Sequence, residues 1–104
     1  LAMDITNNNG NVITINRFFA YWVKTPQSQK LDRLLLDAGL IWNTSDNTSP
    51  SDIPTEGNWR SGVDRTIPDA STRTLTIQFQ NDLQATGYEA HVFFDIGCQI
   101  IAIK

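Results

Sequence analysis

The chain holds one histidine, His91, and one cysteine, Cys98. A Ser-His-Asp triad needs an imidazole held between a nucleophile and an orienting acid, and a multi-histidine metal centre needs several imidazoles. His91 lies in the alternating run Glu89-Ala90-His91-Val92, where it reads as an outward-facing strand residue. Cys98 follows an apolar run and precedes Ile100, so it reads as a small buried hydrophobe; a lone thiol makes neither an intramolecular disulfide nor a thiolate zinc site. Asp64 and Asp69 flank a turn, where aspartate bonds its own backbone, and that reading is preferred to acid-base work. No catalytic residue and no metal-ligating cluster is assigned, and the chain is read as non-enzymatic.

Two other groups carry recognition chemistry. Asp46, Asn47, Ser49 and Asp52 place hard oxygen donors in one loop, the ligand type that calcium takes. The spacing lacks the glycine and the terminal glutamate of an EF-hand, so the expectation is a solvated loop and no cofactor, with calcium at Asp46 and Asp52 as the alternative. Trp22 and Trp42 fall in phase with inward residues and read as core. Trp59 closes the long loop and is the candidate for stacking on a polysaccharide. Trp59, Asp46, Asn47 and Asp52 are therefore the candidate ligand-binding residues. Asn43-Thr44-Ser45 and Asn47-Thr48-Ser49 match the glycosylation acceptor pattern in form only.

The element that organises the chain is Arg73-Thr74-Leu75-Thr76-Ile77-Gln78-Phe79-Gln80. Leu75, Ile77 and Phe79 alternate with polar residues, which in a pleated strand sends three large apolar side chains to one face. Such a strand needs a second apolar layer. Met3–Thr6 reads as a first strand, and Asn7-Asn8-Asn9-Gly10-Asn11 as a turn, because Asn and Gly tolerate positive φ. Val12–Val23 is the next strand: Ile13 and Ile15 point inward, then Phe18, Ala20 and Trp22, so one extra residue is expected near Asn16-Arg17 as a bulge. Phe19, Tyr21 and Val23 then occupy the outer face and form a candidate partner interface.

Residues 25–39 read two ways. Thr25 as a cap, Pro26 at the first position, Leu31, Leu34, Leu35 and Ala38 at helical spacing and Gly39 at the end describe a helix. Lys30–Leu36, a turn at Asp37-Ala38-Gly39 and Leu40-Ile41-Trp42 describe a hairpin. Asn43–Asn58, with Pro50, Pro54 and Gly57, is read as a long loop without a regular ladder. Ile67–Ser71 turns into the organising strand, residues 81–86 cross over, Gly87–Phe94 is a strand, Asp95-Ile96-Gly97 turns, and Cys98–Ile103 returns. Tyr88, after a loop containing Leu83, looks like the tyrosine corner of immunoglobulin-like sandwiches.

The 104 residues suit one domain, 1–104, with a soluble fragment of a longer surface protein left open. The hydrophobic fraction of 40% supports one core, while the charged fraction of 18% is low and the loops are rich in Asn, Thr and Ser. The net charge of -3 and the scattered five Arg and three Lys argue against nucleic acid, which needs clustered cations. No apolar run approaches the ~20 residues that cross a bilayer as a helix.

Ile41-Trp42-Asn43, Trp59, Asp64-Arg65-Thr66-Ile67-Pro68 running into Thr74–Phe79, Gly87-Tyr88 and Phe94-Asp95-Ile96-Gly97-Cys98 give the chain a likeness over nearly its whole length. It resembles an immunoglobulin-like β-sandwich module of bacterial secreted and prepilin-type surface proteins. It departs from that pattern at Val23, where proline is usual, at Asp37-Ala38, where a second glycine is, and at Ile96, where a small polar residue is. The resemblance implies the hairpin for Lys30–Trp42 and an upstream membrane or pilin segment in the full-length protein, which nothing here matches. A weaker architectural likeness is to cellulose-binding sandwich modules. The expectation is an all-β, antiparallel, immunoglobulin-like β-sandwich of 7–9 short strands. Its role is that of a structural or adhesive module at the bacterial cell surface or outside the cell, with protein partners or self-association in a surface assembly. Binding of polysaccharide through exposed Trp is the alternative.

Overall fold

A computed structural model of the protein describes residues 2–22, 30–46, 50–80 and 87–103. These residues form nine strands and no helix: β1 (Ala2–Asn7), β2 (Ile13–Trp22), β3 (Leu31–Leu36), β4 (Gly39–Trp42), β5 (Ser51–Ile53), β6 (Thr66–Ile67), β7 (Ser71–Phe79), β8 (Tyr88–Phe94) and β9 (Gln99–Ile103). The first sheet runs β1-β7-β3-β4 and the second β5-β2-β8-β9, with β6 also pairing β2; every pairing is antiparallel. The two sheets close over one core as a β-sandwich.

The alternation of the organising strand explains its central place. β7 buries Leu75 and Ile77, leaves Thr74, Thr76 and Gln78 on the other face, and pairs β1 on one side and β3 on the other. Facing it, β2 buries Ile13, Ile15, Phe18, Ala20 and Trp22, and β8 buries Tyr88, Ala90, Val92 and Phe94. Each large side chain taken out of water contributes about 1.5–3 kcal/mol. The bulge falls where the phase change requires it. Ile15 faces Phe94 and Arg17 faces Phe93, so Asn16 is the extra residue.

The hairpin reading holds for Leu31–Trp42, and the helix alternative is overturned there: Leu31–Leu36 is extended and hydrogen-bonded to β7. Cross-sheet burial of Leu31, Leu34 and Leu36 outweighs the helical spacing of Leu31, Leu34, Leu35 and Ala38. Thr25 and Pro26 lie outside the described residues. Asp37 sits at φ 51°, a left-handed conformation that Asp adopts more readily than most residues, and its carboxylate accepts the Thr74 N–H at 3.0 Å.

Three further expectations are corrected. Ser51–Ile53 pairs with Phe18–Ala20 of β2 although a loop without a ladder was expected; Pro50 and Pro54 confine it to three residues at a sheet edge, where missing N–H groups are tolerated. Cys98 is exposed rather than buried. It shares the inward parity of Ile100 and Ala102, but β9 is an edge strand, and even those two are only half-buried. Asp69 bonds not its own backbone but the N–H of Gly10, at 2.8 Å, joining two turns. Asp64 keeps the expected turn chemistry, accepting both the N–H and the hydroxyl of Thr66. Tyr88 is buried at the start of β8, while the crossing loop of the tyrosine corner, 81–86, lies outside the described residues.

Candidate functional site

The second sheet's outer face is built from alternate residues of three strands. Register places Phe19, His91 and Ile101 in one cross-strand row, Tyr21, Glu89 and Ile103 in the next, and Arg17, Phe93 and Gln99 in a third. His91 faces outward as expected and is half-buried by its neighbours: its ring meets Phe19 edge-on at 5.5 Å and stacks with Phe93 at 6.4 Å. Its Nε2 lies 3.6 Å from a Glu89 carboxylate oxygen. The Arg17 guanidinium covers Phe93 at 5.5 Å and forms a two-pronged bond to Asp52. Tyr21, Ile101 and Ile103 remain 48%, 51% and 76% exposed. Of the candidate interface residues, Phe19 and Tyr21 lie on this face, and Val23 is outside the described residues. Sequence reasoning missed the β8 and β9 contributions. Their signal is the alternation of His91, Phe93, Ile101 and Ile103 in the last hairpin, visible only once its register against β2 is known.

A cleft of about 300 Å³ opens beside β5, lined by Trp42, Thr44, Ser45, Asp46, Asp52 and Ile53 among others. Asp46 and Asp52, the described pair of the calcium alternative, both reach it. The Asp46 carboxylate accepts the buried Ser51 hydroxyl, and Asp52 is engaged by Arg17 at 2.7 Å. Asn47 and Ser49 lie outside the described residues. Among the described residues, no three His, Cys, Asp or Glu side chains gather as a metal site.

Trp22 and Trp42 are in the core, as expected. Trp59 is half-buried: its indole N–H donates to the Pro54 carbonyl at 3.0 Å, and the Arg65 guanidinium lies over its ring at 4.7 Å. Arg65 in turn donates to the Ile15 carbonyl at the bulge, and burial lowers its pKa from the ordinary arginine value. Trp59 is thus a platform for a structural arginine, with one ring face already covered.

A second arginine, also missed from sequence, ties three segments together. Arg73 donates to Asp37 at 2.8 Å, to Asp64 at 2.9 Å and to the Thr66 carbonyl at 2.8 Å. The Thr74 N–H, with Arg73 next, holds the Asp37 carboxyl below the usual carboxylate range, and the Thr66 hydroxyl and N–H, then Arg73, do so for Asp64. A carboxylate whose folded pKa is lowered stabilises the fold above its unfolded value and loses that contribution as pH falls through the folded one. Stability is therefore expected to drop as pH falls below about 4. In urea unfolding at a series of acid pH values, Asp37→Asn, which also suits positive φ, should show a shallower loss than wild type; an equally steep one would remove Asp37 as a contributor.

Comparison with known proteins finds no matching family model, no matching curated protein and no matching solved structure.

Proposed function

We propose that the domain is a non-enzymatic structural or adhesive module of a bacterial extracellular or cell-surface protein, pilin-like in setting, and that it works through the outer face of the second sheet. One observation carries this reading: the two outer faces of the same sandwich differ in kind. That of the first sheet sets Asp4 beside Thr74 and Thr6 beside Thr72 and confines its apolar members, Ala2, Leu35 and Leu40, to the one row that holds Thr76, so it is mainly polar. That of the second sheet presents Phe19, Tyr21, Phe93, Ile101 and Ile103 in contiguous rows. Aromatic and aliphatic side chains on one face, flanking His91 and Glu89 of its middle strand and with Arg17 in an end row, have the composition of a protein contact surface. The resemblance to bacterial surface modules supports the same reading. The polysaccharide alternative has only Trp59 to use, with one face under Arg65.

The test is retention of beads coated with the domain on a layer of bacterial cells under flow. Wild-type beads should be held, and Tyr21→Ser, which removes an exposed aromatic anchor without touching the core, should lower retention by about tenfold or more. Wild-type beads that wash off as readily as blank ones would overturn the proposal.

A further inference from the structure

Among the described residues, five strands end the two sheets: β1 and β4 in the first, and β5, β9 and the two-residue β6, followed by Pro68, in the second. A free edge is a template for another strand, and sheets commonly blunt it with charge, proline, brevity or a bulge. β1 carries Asp4, and β4 has four residues with a register shift against β3. β5 has three residues, set between Pro50 and Pro54. β9 has none of these devices: Gln99-Ile100-Ile101-Ala102-Ile103 contains no charge and no proline, and its pairing with β8 runs without a shift.

The direction of its backbone groups follows from the hairpin. The Phe94 N–H donates to the Cys98 carbonyl at 3.0 Å, and the Gly97 N–H to the Phe94 carbonyl at 3.0 Å, with Gly97 at φ 88°, as in a three-residue turn closed by a glycine bulge. Hydrogen-bonded and non-bonded pairs alternate along an antiparallel ladder. Val92 with Ile100 and Ala90 with Ala102 therefore exchange bonds, and Gln99, Ile101 and Ile103 aim their N–H and C=O groups at the open edge. The same three residues project their side chains from the outer face.

We propose that β9 pairs antiparallel with β9 of a second copy of this chain, about a two-fold axis through Ile101, joining two second sheets into one continuous sheet. This deepens the contact-module reading and rests on it, by naming the partner at the margin of the same face. The strand is complementary to itself in three respects. With Ile101 facing Ile101 and Gln99 facing Ile103, the outward backbone groups are matched by about six new hydrogen bonds, two in each facing pair. Outer faces stay on one side, so Ile101 packs on Ile101, while on the inner side Ile100, half-buried in one copy, packs against Ala102 of the other. The chain's net charge of -3 opposes association of copies in general, and β9 brings none of its eleven acidic residues to the seam. A seam of five residues buries less than the roughly 1,200 Å² of a standard interface, so the pairing is reversible and depends on concentration.

Cys98, the one thiol and exposed, supplies the probe. Three residues from the axis in each copy, two spin labels there fall six residues apart along the joined strands, on the order of 20 Å. Pulsed EPR at high concentration should show that separation. Hydrogen exchange of unlabelled protein should slow with concentration at Gln99, Ile101 and Ile103 but not at Ile100 or Ala102. Ile101→Pro removes an outward N–H and leaves the β8 ladder intact, and should weaken dimerisation in sedimentation by about tenfold or more. Ile101→Lys, expected to weaken it similarly through like charges at the axis, serves if proline disturbs the hairpin. A monomer up to millimolar concentration overturns the proposal. So does a dimer lacking the alternate protection, or one lost in Tyr21→Ser but kept in Ile101→Pro. Bead retention without solution dimers leaves the contact-module reading standing and removes this one; dimers without retention do the reverse.

Discussion

Replacing Trp22 by alanine is expected to lower the unfolding free energy by about 3–5 kcal/mol, the range for deleting a buried large aromatic. Trp22 is 1% exposed at the end of β2 in the second sheet, and its ring meets Phe79 of the first sheet edge-on, 5.2 Å between centroids. Phe79 in turn tilts against Tyr88 at 5.8 Å. The three rings thus bridge the sheets, and alanine removes one end of the bridge, leaving Phe79 facing a void. For a domain of this size the loss translates to a melting temperature lower by ~15–30 °C. Trp22→Phe keeps an aromatic edge toward Phe79 and should lose less than half as much. Calorimetry of both variants checks this, and a Trp22→Ala midpoint within about 5 °C of wild type would show that the rings do not couple the layers.

The second large effect comes from a polar residue. Asn7 is 2% exposed, and its amide is fully used: Nδ2 donates to the Asn11 carbonyl at 2.7 Å and the Ile67 carbonyl at 2.8 Å, while Oδ1 accepts the Asn9 N–H at 2.9 Å. It binds the end of β1, the following turn and β6. Asn7→Leu keeps the volume and strands those three backbone groups, an expected loss of about 2–3 kcal/mol. Asn7→Asp still accepts from Asn9 but turns a carboxylate oxygen toward two carbonyls. Its folded pKa should rise, so its stability deficit should shrink as pH falls and the carboxyl gains a proton to donate. That trend is opposite in sign to the acid loss expected from Asp37 and Asp64. Chemical unfolding at pH 4 and pH 7 separates the two, and a pH-independent deficit in Asn7→Asp would contradict the bonding described.

Residues that alternate along one strand were legible without the fold. Leu75 and Ile77, the phase change at Asn16, and Trp22 in the core follow from a side-chain period of two, whereas Trp42 is buried next to Ile41 through a register shift in the β3–β4 pairing. Groups whose partners are distant in the chain were not. Arg73 meets Asp37 and Asp64 only because β7 lies beside the β3–β4 turn, and nothing local marks it. Asn7 read as part of a turn, because its buried partner, Ile67, is sixty residues away. Cys98 misled because inward parity says nothing about whether the opposite layer extends that far. The contact face was half legible: Phe19 and Tyr21 announced it within one strand, whereas Ile101 and Ile103 join it through register alone.

The extra residue at Asn16 also bears on which length changes this gene tolerates. Both halves of β2 face the core only because one position is skipped between Ile15 and Arg17. A single-codon deletion there merely closes the bulge into an unbroken alternation, whereas a single-codon insertion, with the bulge still absorbing one residue, puts the halves out of step: with Ile13 and Ile15 anchored, Phe19 and Tyr21 would turn into the interior, and Phe18 and Trp22 out toward solvent. An in-frame change that leaves composition almost untouched would thus exchange lining for surface, and the sandwich could keep its core or its outer face, but not both.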